Sequence, residues 1–183
     1  MKRLLVLPLV ALLLVGCSVS TDHGDMHDMM QTPSASADGF STTDIMFAEM
    51  MIPHHQQAVE MSELALATST NPDIRALATE IRDAQAPEIE QMRAWGATGE
   101  EHMGHQMMGM LSDAQMEALR AAEGKTFDRL FLEGMIAHHE GAIDMAQMIV
   151  GSKNTEARTL GENIVSSQTA EIKRMRELLA ALT

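Results

Sequence analysis

Asp44-Ile45-Met46-Phe47-Ala48-Glu49-Met50-Met51-Ile52-Pro53-His54-His55 returns later in the chain as Asp128-Arg129-Leu130-Phe131-Leu132-Glu133-Gly134-Met135-Ile136-Ala137-His138-His139. The offset is constant, 84 positions from His54 to His138, and it carries on through Ala58 and Met61, matched by Ala142 and Met145. After a one-residue shift, Arg75, Leu77, Ile81, Gln85, Glu88, Ile89, Met92 and Arg93 recur as Arg158, Leu160, Ile164, Gln168, Glu171, Ile172, Met175 and Arg176. A repeat of this length is one supersecondary unit that cannot bury its apolar face alone.

Each copy reads as a helical hairpin. In the first, Ala48, Met51, Ile52, His55, Ala58, Val59, Ser62 and Leu66 fall at the i, i+3, i+4, i+7 spacing of an amphipathic helix. That helix is expected from Thr43, as N-cap, to about Thr68. Asn71-Pro72 supplies a cap and a first-turn proline for a second helix, which stops near Trp95 and should kink at Pro87. Ser112-Asp113-Ala114-Gln115 reads as a capping box for a short helix ending near Gly124. Thr126 is the expected cap of a third long helix to about Val150, and a fourth runs from about Thr155 to Leu182. Two hairpins with one apolar face each bury those faces against one another. The fold class that follows is all-α: a four-helix bundle from two duplicated hairpins, with a short extra helix between them.

The flanking segments are of another kind. Met1-Lys2-Arg3 precedes an apolar run from Leu4 to Val15 that is short for a bilayer span. It ends in Leu14-Val15-Gly16-Cys17, which resembles the lipobox of bacterial lipoproteins and implies cleavage before Cys17 and lipid on its sulfur. Residues 1–17 are therefore expected to be a signal, 18–41 a flexible tether and 42–183 the bundle, with repeat one at about 43–95, a linker at 96–111 and repeat two at about 126–182. This gives a protein of the cell envelope, held to a membrane by lipid and lying outside the cytoplasm. Removing Lys2 and Arg3 from the 13 basic residues leaves 11 against 26 acidic ones. So acidic a surface argues against nucleic acid as a partner and is compatible with attracting cations.

Methionine numbers 18 while aromatic residues make up 3% with no tyrosine, and Cys17 is the one cysteine. A soft-metal site in the lipidated protein would have to use Met sulfur and His nitrogen. Met51, His54 and Met61 share one side of the first helix, as Met135, His138 and Met145 do on the third, with His55 and His139 nearer the centre of the apolar stripe. Thioether with imidazole is a ligand set for Cu(I), whereas zinc favours thiolates, several histidines, or histidine with carboxylate. The competing explanation is that Met fills core gaps and the histidines are hydrogen-bonded core residues. Against it, burying two adjacent imidazoles twice over without partners is costly. Gln85, Glu88 and their repeats Gln168 and Glu171 are candidates to face the His pairs, as groups orienting an imidazole or as ligands, or else are solvated. Two irregular segments are also rich in soft ligands. His23, Met26 and His27 lie in the tether, and His102, Met103, His105, Met107, Met108 and Met110 lie in the linker, where they have no core to fill unless the linker folds over the bundle.

The twin Met-Ile-(Pro/Ala)-His-His, the Phe127-Asp128-Arg129-Leu130-Phe131 entry to the second copy, and the Gln-x-x-Glu-Ile segments at Gln85 and Gln168 resemble the bacterial secreted domain of unknown function 305 family. The resemblance spans nearly all of Thr43 to Leu182 and implies a ferritin-like architecture. Some members bind copper in the cell envelope through Met and His, which implies Cu(I) sequestration or resistance here. The copies differ where Met50-Met51-Ile52-Pro53 is replaced by Gly134-Met135-Ile136-Ala137, so they are not expected to bind metal equally. Two other functions compete. A ferritin-like di-metal oxidase needs Glu-x-x-His on two helices, yet Met51, Ile52, Met135 and Ile136 occupy the positions three before the histidines, so no catalysis is expected. A helical envelope module binding a protein partner through an adaptable Met-rich surface is the other.

Overall fold

A computed structural model describes residues 39–100 and 107–182 of the chain. Its five helices are α1 (Thr42–Thr68), α2 (Pro72–Ala94), α3 (Asp113–Ala121), α4 (Gly124–Ala146) and α5 (Thr155–Ala181). The fold is all-α. Helix α1 packs along α2 and α4 along α5, the two hairpins meet mainly through α1 and α4, and α2 touches α5 only glancingly. Among the described residues, no helix is long and apolar enough to cross a membrane.

Several helix ends differ from the sequence expectation, each for a local reason. The cap of α1 is Ser41, not Thr43. The Asp44 carboxylate accepts from the Ser41 amide at 2.7 Å while the Ser41 hydroxyl accepts from the Asp44 amide at 3.2 Å, a reciprocal pairing with no equivalent if Thr43 were the cap. Helix α3 stops at Ala121, short of Gly124. Helix α4 starts at Gly124, so Thr126 lies inside it, and Glu123 at the cap makes no side-chain bond. It closes at Ala146 instead of Val150, because Met148 and Ile149 turn back to the carbonyls of Met145 and Ala146 at 3.0 Å each. That tight turn tucks Ile149 against α5 at Gly161, where a Cβ would stand 2.8 Å from the Ile149 side chain. Helix α2 continues through Pro87 to Ala94.

The buried apolar residues divide into two clusters. One joins Phe47, Ala48, Met51 and Ile52 of α1 to Ile89 and Met92 of α2, Ala142, Met145 and Ala146 of α4, and Leu160 and Ile164 of α5. The other joins Ala58, Met61 and Ala65 to Ile74, Leu77 and Ile81, Phe127, Phe131 and Met135, and Ile172 and Met175. The first half of α1 thus lies with the second half of α4, which makes these two helices antiparallel. The duplicated hairpins are related by a pseudo-twofold axis across the bundle, and the clusters lie on either side of it.

Candidate metal centre

What separates the two clusters is a layer of polar side chains, one set from each long helix. His54 and His55 fall between Ile52 and Ala58 on α1, and His138 and His139 between Met135 and Ala142 on α4. Gln85 falls between Ile81 and Ile89 on α2, and Gln168 between Ile164 and Ile172 on α5. All four histidines are completely shielded from solvent, and the two glutamines nearly so. The apolar stripe that drives each helix inward carries these groups with it, since they sit at core register positions.

His54 and His138 meet at the pseudo-twofold, ring centroids 3.7 Å apart and tilted by 38°. The pair at the centre is therefore His54 and His138, where the stripe geometry had favoured His55 and His139. The latter turn outward to α2 and α5. The Glu88 carboxylate accepts from His55 Nε2 at 2.8 Å and the Glu171 carboxylate from His139 Nε2 at 2.7 Å. Each Glu is about one-fifth exposed, 20% and 19%, so a solvated carboxylate orients a fully buried ring on each side.

Burial holds His54 neutral, its pKa lowered to about 3 chiefly by desolvation and then by His55 and His139, against the hydrogen bond that the ring donates to the Met108 carbonyl. His138 is likewise depressed, by desolvation first and then by His54, His139 and His55. The His54 main chain opposes that shift without standing in hydrogen-bonding geometry to the ring. Neutral imidazole is the form that binds a metal. Among the described residues, the buried side-chain atoms without a hydrogen-bond partner are Nδ1 of His54, His55 and His139, both ring nitrogens of His138, both amide atoms of Gln85, Oε1 of Gln168 and Ser62 Oγ. All but the serine belong to the central layer. Each unsatisfied buried group costs about 1–3 kcal/mol, so the layer left bare is a substantial destabilising element.

The buried methionines flank this layer. Met51 and Met145 pack in one apolar cluster, Met61 and Met135 in the other. Among the described residues, no three His, Cys, Asp or Glu side chains stand together as a ready metal cage. The donor set consequently suits an ion satisfied by two imidazoles or by imidazole with thioether, and does not suit one that demands an oxygen shell.

The linker behaves differently from a free loop. At its start the Glu49 carboxylate accepts from the amides of Thr98 and Gly99 at 2.8 and 2.6 Å. At its end Gln57 clamps Leu111 through both of its amide atoms, at 2.8 and 2.9 Å, and the Met108 carbonyl accepts from His54 Nε2 at 3.2 Å. Met107 and Met110 are half-buried and the Met108 side chain is 61% exposed, so only Met108 of the three matches a loop standing free in solvent. His102, Met103 and His105 lie outside the described residues, as do Cys17, His23, Met26 and His27. The sequence reading missed the Met108 carbonyl and the close approach of Gly109 and Gly141 beneath it. The signal available was the pairing of Gln57 with Gly141 at the repeat offset, a polar residue matched by a glycine.

Comparison with known proteins agrees with this architecture. The family model of the domain of unknown function DUF305 matches residues 44–179. A DUF305 protein of Streptomyces coelicolor described as secreted is 33% identical, with TM-score 0.69, over 76% of this chain and 93% of its own. A DUF305 fragment from Deinococcus radiodurans is 31% identical, with TM-score 0.70, over 77% of this chain and 97% of its own. CopM in its Cu(II)-bound form is 36% identical, with TM-score 0.67, over 76% of this chain and 97% of its own, and CopM is also known in Cu(I)-bound and Ag-bound forms. Nothing among curated proteins matches.

Proposed function

The chain belongs to the DUF305 family, and from that premise we propose that it binds Cu(I) outside the cytoplasmic membrane, in the central layer of its bundle, to sequester the ion without catalysing a reaction. The observation that carries this reading is the layer itself. Four wholly buried imidazoles and two buried carboxamides leave eight polar atoms unpartnered between two apolar clusters edged with methionine. A closely packed core has no use for such a set, and a soft cation with a taste for nitrogen and thioether sulfur does. His54, His55, His138 and His139 are the proposed nitrogen ligands, with Met51, Met61, Met135 and Met145 as the available thioethers. Glu88 and Glu171 orient the outer rings. The similarity to CopM, which is known in copper-bound and silver-bound forms, supports the choice of metal.

Envelope location and lipid on Cys17 are part of the same proposal. They rest on the lipobox-like Leu14-Val15-Gly16-Cys17, and the likeness to a DUF305 protein described as secreted is consistent with export. The linker and tether methionines and histidines would then form a weaker, exchangeable set.

Anaerobic titration of the protein with Cu(I) against a competing chromophoric chelator tests the reading. Tight binding that is lost in a His54→Leu/His138→Leu variant, with helicity retained, supports the bundle as the site. Tight binding that survives in that variant moves the site to the linker and tether, and an absence of competition by the parent protein sinks the copper reading.

A further inference from the structure

Resting on the metal-binding reading, we propose that the end of the linker, residues 107–111, is a positioning element for one half of the centre: the Met108 main chain fixes which nitrogen of His54 is offered to an ion, while His138 is left to offer either. The geometry carries this. A carbonyl oxygen only accepts, so its 3.2 Å contact places the ring proton of neutral His54 on Nε2 and leaves Nδ1 as the lone pair in the layer. The repeat mate, His138, has no partner on either nitrogen among the described residues.

Three further features hold the segment where it does this. Gly141 faces it, and a Cβ there would lie 2.0 Å from the Met108 carbonyl oxygen, an overlap of backbone that no side-chain movement relieves. Gly109 has φ +83°, and its Cβ would lie 2.4 Å from the Ala137 carbonyl, so both the left-handed turn and the close approach require glycine. Gln57 pins the neighbouring Leu111 amide and carbonyl. Gln57 and Gly141 are counterparts in the two copies, so one twofold-related position has become a clamp and the other a clearance for the same segment. The centre has one imidazole of fixed tautomer and one adjustable imidazole, which makes its two halves chemically unequal.

The test is long-range proton–nitrogen correlation spectroscopy of the histidine rings in the metal-free full chain, followed by Ag(I) binding. In the parent protein His54 is expected wholly as the Nε2–H form and His138 as a mixture of tautomers. Gly141→Ala, which drives the carbonyl away, should convert the His54 signature to a mixture and leave His139, held by Glu171, unchanged. Gln57→Ala releases the same segment without adding an atom and covers the case in which Gly141→Ala fails to fold. Either variant should weaken Ag(I) binding roughly tenfold or more, in the range usual for groups that orient a ligand. A His54 ring protonated on Nδ1 in the parent, or an unchanged His54 signature in a folded variant, overturns the inference even if Ag(I) binds. Correct tautomers in a protein that binds no Ag(I) would instead overturn the metal-binding reading and leave the positioning intact.

Discussion

Replacing His138 with leucine should make the metal-free protein more stable while removing much of its capacity to be stabilised by metal. His138 is completely buried with both ring nitrogens unpartnered, and each such group costs about 1–3 kcal/mol. Relief of two of them is worth ~2–6 kcal/mol, from which imperfect fit of the new side chain subtracts about 1–2 kcal/mol. The expected net gain is about 1–4 kcal/mol. With a urea m-value of about 2 kcal/mol/M for a domain of this size, the unfolding midpoint in the presence of chelator should rise by roughly 0.5–2 M at unchanged m. Adding Cu(I) at about 100 times its dissociation constant should then stabilise the parent by ~2.7 kcal/mol and the variant by far less, narrowing or reversing the order. A His138→Leu protein that is less stable than the parent by 1 kcal/mol or more without metal would refute the reasoning, because it would mean that the imidazole contributes to packing and is adequately solvated where it lies.

The other predictions follow from single contacts. The folded pKa values of His54 (about 3) and His138 lie below the ordinary 6.5, so the unfolded chain takes up protons first as the solution is acidified. The stability this confers is complete above pH 6.5 and declines as pH falls toward the folded value, by about 1.4 kcal/mol per pH unit for each ring. Urea unfolding between pH 6.5 and 4.5 should therefore show a steeper loss in the parent than in His54→Leu/His138→Leu, and equal slopes would contradict the burial of neutral rings. Glu88→Ala or Glu171→Ala should each weaken Cu(I) binding by roughly 10–100-fold, read by chelator competition, since each frees a ring that a carboxylate now orients. Asp128→Ala should cost about 1.5–3 kcal/mol in urea, because the Ser69 hydroxyl donates to Asp128 at 2.6 Å in a buried link between the first hairpin's turn and α4. An effect below 0.5 kcal/mol, within the range of ordinary surface substitutions, would show that link to be incidental.

The bundle was legible because duplication and periodicity point the same way. Phe47 and Phe131, or Ile81 and Ile164, can be matched by eye, and their spacing is that of an inward helical face. Helix ends were harder because competing caps lie within a few residues of one another. Ser41 and Thr43 are both good cap residues, and only the reach of Asp44 back to Ser41 separates them. The histidines could be named from the motif, but their division of labour could not. A rotation of 100° between neighbours places His54 and His55 on one broad face, and which of them meets its counterpart depends on how closely α1 approaches α4. The part played by Met108 was invisible for a different reason. It acts through its main chain, and no side-chain pattern announces a carbonyl group.

The asymmetry of the centre follows from how the molecule is put together. Because α1 runs antiparallel to α4, the layer receives two imidazoles and one carboxamide from each copy, and a single hairpin holds only half of it. An ion held by both halves would bind the assembled bundle and not the separated hairpins, so its binding free energy would add directly to the stability of the bundle. Two copies joined in one chain have two equivalent faces over their central histidines but one connection between them. That connection can cover one face only. Here it covers His54, with Gly141 giving way beneath it and Gln57 holding it down, and among the described residues none does the same for His138. Symmetry supplies the histidines in pairs, and the single linker makes the members of the central pair different.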